Sequence, residues 1–210
     1  AARVLGQTEE AGELETLAED IREAILAEYF APNGRFCLDT QTAYVLALHY
    51  GIWRDRQRVM DAFRTRLERD FFKIKTGFAG TPLMLPTLFE CGLDDYAYRL
   101  LMNAELPGWL YAVNMGATTI WERWNSVLPD GTISGTGMNS LNHYAYGSVC
   151  QAIYGYIAGL RPAAPGWKRA VIAPRTNWRL REIDLAYRSP SGTYRVAWKL
   201  LDSGQLDVEL

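Results

Sequence analysis

Gly116–Trp124 reads G-A-T-T-I-W-E-R-W, and its one carboxylate, Glu122, sits between two tryptophans with Arg123 beside it and two threonines just upstream. So apolar a neighbourhood predicts a partly buried acid. Burial raises the pKa of a carboxyl group and neighbouring cations or donors lower it, so such a setting can tune an acid for proton transfer. Aromatic rings beside a carboxylate also suit a sugar, whose C–H faces stack on indole while its hydroxyl groups take hydrogen bonds. The same spacing is compatible with a plainer role, in which Trp121 and Trp124 are core residues at helical spacing and Glu122 pairs with an arginine.

A second stretch with chemistry in it is Asn142-His143-Tyr144-Ala145-Tyr146-Gly147. The expectation is a helix from about Leu141 to Ala158, capped by Asn139-Ser140 and closed by Gly159. A lone histidine on a helix is ordinarily a satisfied structural residue, and His49 is read that way. Two histidines and scattered acids give no metal-ligand spacing, so no metal and no cofactor is expected. Cys37, Cys91 and Cys150 are odd in number, widely spaced and each in apolar surroundings, which predicts buried free thiols.

The remaining composition narrows the function classes. A chain of 210 residues can form one large domain, and its 7 Trp and 12 Tyr supply ample core material. The net charge of −2 gives no global attraction to nucleic acid or to an anionic membrane. No apolar run approaches the roughly 18–20 residues that span a bilayer. The N-terminus, A-A-R-V-L-G-Q-T-E-E, has no apolar signal-peptide core, so a cytoplasmic location is slightly favoured.

Helices must position these residues. Leu14, Leu17, Ile21, Ile25 and Tyr29 recur at three- and four-residue steps and predict a helix over 9–30, with its acids early, where the helix dipole favours them. A second helix, capped by Asp39 or Thr40 and ending at Gly51, is apolar nearly all round and belongs in an interior. A third, Asp55–Phe72, carries a stripe of Val59, Phe63, Leu67 and Phe71. Its other faces hold six arginines between Arg54 and Arg69 with acids interleaved, which reads as a solvated outer face and not a nucleic-acid patch. Lys75–Pro82 reads as a loop leading into a helix with an early proline. Two helices near 82–91 and 94–105 then hinge at Cys91-Gly92, with Asp94 as cap. The polar, glycine-rich run Leu128–Gly137 has the length of a functional loop.

Past Pro162–Pro165 the pattern changes to short strands, Val171–Ala173, Glu182–Tyr187, Tyr194–Leu201 and Gln205–Glu209, with turns at Ser191-Gly192 and Ser203-Gly204. Helices followed by strands argue for an α portion joined to a β portion. About six helices in antiparallel-looking pairs are half of what a closed helical barrel needs, and four strands make a thin sheet with open edges.

Five blocks now carry a family resemblance: T-Q-T-A-Y (40–44), T-G-F-A-G-T-P (76–82), A-T-T-I-W-E-R-W (117–124), M-N-S-L-N-H-Y-A-Y-G (138–147) and I-A-G-L-R-P-A-A-P-G-W-K (157–168). In this order they resemble the C-terminal half of the bacterial α-L-rhamnosidases, glycoside hydrolase family 78. The resemblance implies a mainly α fold, with residues 1–160 as part of an (α/α)6 barrel of the six-hairpin glycosidase type. It further implies that residues 161–210 are the truncated start of an antiparallel β-sandwich. It implies an inverting hydrolase of terminal α-L-rhamnosides, with Glu122 as general base and His143 bonding the rhamnose hydroxyls. Trp109, Trp121 and Trp124 would be wall residues, while Arg123 would hold the loop or tune Glu122.

The family's general acid lies in an upstream segment of the kind D-x-x-R-x-E-R, and nothing in this chain matches it. Asp39 and the Asp94-Asp95 pair are read as caps. The chain alone is therefore expected to have little or no activity, and its exposed barrel faces are expected to drive self-association. The competing expectation is a non-catalytic carbohydrate-binding or helical interaction module.

Overall fold

The computed structural model describes residues 1–135 and 137–210. Thr136, inside the expected 128–137 loop, lies outside the described residues. The periodicity of the first third produces three helices: α1 (Thr8–Tyr29), α2 (Gln41–Tyr50) and α3 (Arg56–Arg69). The Thr40 hydroxyl caps α2 by accepting from the Ala43 N–H at 3.2 Å, and Asp55 caps α3 by accepting from the Arg58 N–H at 3.1 Å. Gly51 closes α2 in the left-handed conformation.

The apolar stripe of α1 does not reach a core. Leu14, Leu17 and Ile21 are 52%, 53% and 51% exposed, and the buried residues of this helix are Ala11 and Leu26. The stripe on α3 is buried through Val59, Phe63 and Leu67, but Phe71 falls beyond the helix and is 78% exposed. Phe71 and Phe72 both take positive φ, and this turn swings Phe72 inward in place of Phe71. For bulky side chains that backbone is unfavourable. Asn103 compensates by donating from Nδ2 to both carbonyls, and the Arg99 guanidinium covers the Phe72 ring at 3.4 Å.

Next come α4 (Thr81–Glu90), α5 (Asp94–Leu101) and α6 (Trp109–Asn114). Asp94 and Asp95 are not caps. They form the first turn of α5 and reach across the fold, Asp94 to Arg175 at 3.0 Å and Asp95 to Arg179. Asp39 likewise cedes the cap to Thr40, accepts from the Tyr44 hydroxyl at 3.1 Å and faces Arg66 at 3.4 Å.

The helix expected from Leu141 starts later, because other partners take the backbone of 141–144. Thr119 donates its hydroxyl to the Leu141 carbonyl, and the His143 N–H donates to Ile120 O at 2.7 Å. Ser140 bonds both the N–H and the carbonyl of Asn142 through its hydroxyl. A helical run follows, with a 3₁₀ turn at Ala145–Ser148, α7 at Val149–Ala152 and a π turn at Ile153–Ile157.

Gly159 joins the helices to the strands at φ +79°, where an added Cβ would stand 2.2 Å from the Ala173 carbonyl carbon. The β portion has five strands, one more than expected. β1 (Leu160–Pro162) pairs with β2 (Ala170–Ile172), and β3 (Glu182–Ser189), β4 (Gly192–Leu200) and β5 (Leu206–Glu209) form an antiparallel sheet in that order. β1 escaped the sequence reading because three residues ending in proline carry no alternation.

Val196 and Trp198 on β4 are buried and join the core that begins at Leu26 and runs through α2–α5. The Trp198 indole donates to Ile157 O at 3.0 Å, and the Tyr98 hydroxyl donates to Arg175 O at 2.6 Å. The helical and β portions are thus tied by hydrogen bonds as well as apolar area. The cysteines are free thiols, but Cys37 and Cys150 are exposed and Cys91 is half-buried, so the expectation of three buried thiols fails. Cys91 still packs against the core, whereas Leu38 beside Cys37 is itself 43% exposed, so an apolar sequence neighbourhood did not report burial at that position.

Candidate active site

The segment 119–124 is not helical; it is irregular, with bends at 119 and 122–123 and a turn at 124. Its backbone meets residues 140–143 instead: Glu122 N–H donates to Ser140 O at 2.9 Å, and His143 N–H donates to Ile120 O at 2.7 Å. Glu122 also accepts the Ser140 N–H on Oε2 at 2.7 Å. One carboxylate oxygen is thereby anchored to the backbone that carries the histidine. Glu122 is half-buried, as its neighbours predict, and among the described residues neither it nor Arg123 forms an ion pair. Arg123 holds the turn through its N–H, which donates to Ser126 Oγ at 3.1 Å.

His143 lies in the loop before the helical run. Its Nδ1 accepts from the Ala145 N–H at 3.3 Å, which orients the ring. The ring stacks between Phe78, at 5.1 Å and 15°, and Tyr144, at 4.9 Å and 16°. Phe78 is about half exposed and Tyr144 is almost fully exposed, so this stack opens to solvent. His49 is exposed, packs edge-on to Tyr50 at 4.9 Å and takes no part in the site.

The three tryptophans line a neighbouring apolar cavity of about 380 Å³, which neither Glu122 nor His143 lines. Trp109 and Trp121 are buried, at 8% and 7% exposure. The Trp109 indole donates to Tyr146 O at 2.9 Å, and that of Trp124 donates to Thr76 O at 3.1 Å. Trp124 stacks on Tyr146 at 3.8 Å and meets Trp109 edge-on at 5.4 Å. Burial pushes the Tyr146 phenol above its ordinary range.

Thr76 and Phe78 belong to the Lys75–Pro82 loop, and a buried network holds that loop. Gln41 donates to Asp70 Oδ2 and to Lys73 O, both at 2.8 Å, and accepts the Lys75 N–H at 2.9 Å. Asp70 is 2% exposed and also bonds Arg66 and Lys75. Sequence reasoning singled out neither Ser140, Phe78 nor this network as part of the site. Phe78 and Ser140 stood inside recognised blocks, yet no spacing rule pairs residue 78 with 143 or 122 with 140.

Among the described residues, no group of three or more His, Cys, Asp or Glu could hold a metal, and no helix is long and apolar enough to cross a membrane.

The family model for the bacterial alpha-L-rhamnosidase 6 hairpin glycosidase domain matches residues 1–157, and that for the bacterial alpha-L-rhamnosidase C-terminal domain matches 159–210. An alpha-L-rhamnosidase of Streptomyces avermitilis is 39% identical over 186 residues, covering 88% of this chain and 18% of that protein. One from Alteromonas sp. strain LOR is 37% identical over 206 residues, covering 95% of this chain and 22% of that protein.

Among solved structures, native α-L-rhamnosidase from Aspergillus terreus superposes with a TM-score of 0.93 at 33% identity, covering 99% of this chain and 24% of that one. The Streptomyces avermitilis enzyme complexed with L-rhamnose gives 0.91 at 38% identity, covering 99% and 20%. The chain thus spans about a fifth of the length of the curated relatives it matches. Helices of six-hairpin glycosidase type followed by antiparallel sheets, motif blocks in family order and two adjoining domain matches lead to one assignment: the chain belongs to the bacterial α-L-rhamnosidase family.

Proposed function

We propose that the chain carries the base side of an inverting α-L-rhamnosidase site acting on terminal α-L-rhamnosides, with the general acid supplied from outside it. Glu122 is the general base, and His143 hydrogen-bonds the rhamnose hydroxyls. Trp109, Trp121 and Trp124 form the apolar wall behind the 120–124 segment. In this reading residues 1–160 are the barrel portion and 161–210 the C-terminal β-domain portion.

The observation that carries the proposal is the Glu122 carboxylate. One oxygen is fixed by the Ser140 N–H, and the other has no protein partner among the described residues, which leaves it to take a proton from water. In an inverting displacement that water attacks the face opposite the leaving oxygen, which the acid protonates, with the two carboxyl groups roughly 6.5–9.5 Å apart. Asp39, Asp94 and Asp95 are engaged with arginines elsewhere, which supports an acid from outside the chain. The relative solved with L-rhamnose supports rhamnose as the sugar recognised.

The test is release of nitrophenol from an aryl α-L-rhamnoside by the chain alone, beside its Glu122→Gln form. The expected result is no release from either. Release that vanishes with Glu122→Gln would mean that the chain or a neighbouring copy holds an acid, and would overturn the divided site.

The half-exposed stripe of α1 supports self-association through that face. Sedimentation at tens of micromolar is expected to show a species larger than the monomer; a clean monomer rejects it.

A further inference from the structure

The helical run 149–157 separates two cavities. Val149 and Ile153 face the tryptophan cavity, whereas Gln151 and Tyr154 face a second one of about 590 Å³ at the junction of helices and strands. Arg161 of β1, Trp167 of the turn between β1 and β2, and Tyr187 of β3 complete its working surface. None of these residues belongs to the Glu122–His143 site.

The arrangement is built around Trp167. Gly166 and Trp167 both have positive φ, a rare pair of left-handed residues when one is a tryptophan. The β3–β4 hairpin pins that backbone: the Tyr194 hydroxyl donates to Trp167 O at 2.7 Å, and Ser191 Oγ donates to Gly166 O at 2.5 Å. The result aims a half-buried indole at Tyr187, with centroids 4.5 Å apart and a tilt of 38°, while Tyr154 stands nearly perpendicular to Tyr187 at 6.1 Å. The π turn at 153–157 carries Tyr154 and Gly155 in a frame an ordinary helix would not give, and such turns concentrate at functional sites.

The polar groups define the ligand's chemistry. Among the described residues no acidic side chain lines the cavity, so it does not suit a cation. The one cation that lines it among the described residues, Arg161, already donates to Gly155 O at 2.9 Å and lies 5.1 Å from the Tyr156 ring, so it is not the charge cluster that an anion requires. Among the described residues, the Gln151 amide, the Tyr154 and Tyr187 hydroxyls and the Trp167 indole N–H have no side-chain or backbone partner. Neutral donors and acceptors around tilted aromatic faces match a ring with apolar C–H faces and an equatorial belt of hydroxyls.

We propose that this junction is a second, non-catalytic binding site for a neutral pyranoside, which stacks on Trp167 and Tyr187 and bonds Gln151, Tyr154 and the remaining guanidinium N–H groups of Arg161. The volume accommodates one or two sugar rings, within the usual size of ligand pockets.

The experiment is a ¹H–¹⁵N titration of the full 210-residue chain with methyl α-L-rhamnopyranoside and, separately, methyl β-D-glucopyranoside. The indole resonance of residue 167 is assigned by Trp167→Phe. With at least one glycoside, that resonance and the Gly155 amide are expected to shift saturably at millimolar ligand. Trp167→Ala, read through the Gly155 amide, should weaken the response more than 10-fold, and Gln151→Ala, at an exposed position whose loss leaves folding intact, about 5-fold. His143→Ala should leave it unchanged, which separates failure here from failure of the catalytic assignment. Absence of a saturable shift with both glycosides, or a shift that His143→Ala abolishes and Gln151→Ala does not alter, overturns the proposal.

Discussion

Glu122→Gln is expected to lower hydrolysis of an aryl α-L-rhamnoside by about 10²–10⁴-fold, the range that general acid–base catalysis supplies. The measurement uses the chain recombined with the upstream helical part of a related α-L-rhamnosidase, which provides the acid. Glutamine keeps an oxygen that accepts the Ser140 N–H, so the pairing of 120–122 with 140–143 survives and the fold is unmoved. What disappears is the basic oxygen that, in the proposed mechanism, takes the proton from water. The loss therefore falls on kcat, with KM and melting temperature near those of the parent chain.

His143→Ala should differ, raising KM, because the proposed contact it removes is made to sugar in ground and transition states alike. If kcat survives Glu122→Gln, Glu122 is not the base, and the half-buried carboxylate serves to hold Ser140.

Asp70→Asn carries the largest expected effect on stability. Asp70 is buried with Gln41 against it and Arg66 and Lys75 on its oxygens. Removing one partner of a buried pair costs about 3 kcal/mol, and for a domain of this size that lowers the melting temperature by about 6–12 °C. Burial pushes the carboxyl up, but hydrogen bonds from Arg66, Lys75 and Gln41 and the charge of Arg66 prevail and hold it well below the usual carboxylate range.

A depressed native pKa contributes stability that is present in full above the unfolded value of about 3.9. That contribution fades as pH falls through the native value. The difference between the parent chain and Asp70→Asn, measured by urea unfolding, should be constant from neutral pH to about 5 and narrow below about 4. A gap independent of pH would remove the ionised carboxylate from the account. The same substitution loosens the loop that holds Thr76 under Trp124 and Phe78 against His143, so the site should be perturbed along with the fold.

Much of this was legible in the residues. Local periodicity and capping chemistry act over three or four residues. They suffice to place α1, α2 and α3, to narrow the α2 cap to Asp39 or Thr40, and to place the two hairpins of the β3–β5 sheet. The blocks around Glu122 and His143 were legible too, and they carried the family, because W-E-R-W and N-H-Y-A-Y-G ask for more than packing volume.

What stayed hidden depends on partners far along the chain. His143 sits in a loop and not a helix because residues 119–122 capture the backbone groups of 140–143 that a helix would have used. Asp94 and Asp95 look like caps until Arg175 and Arg179 arrive from some 80 residues away. The α1 stripe has core periodicity, yet among the described residues nothing covers it, since periodicity records which face is apolar and not what lies against it. Sequence by itself therefore determined most of the longer elements, the chemistry on offer and the family. Only the tertiary structure decided that the Glu122 oxygen is anchored by Ser140 while the tryptophans turn to a separate cavity. The reason is that a backbone hydrogen bond goes to whichever competing partner the whole fold brings within 3 Å.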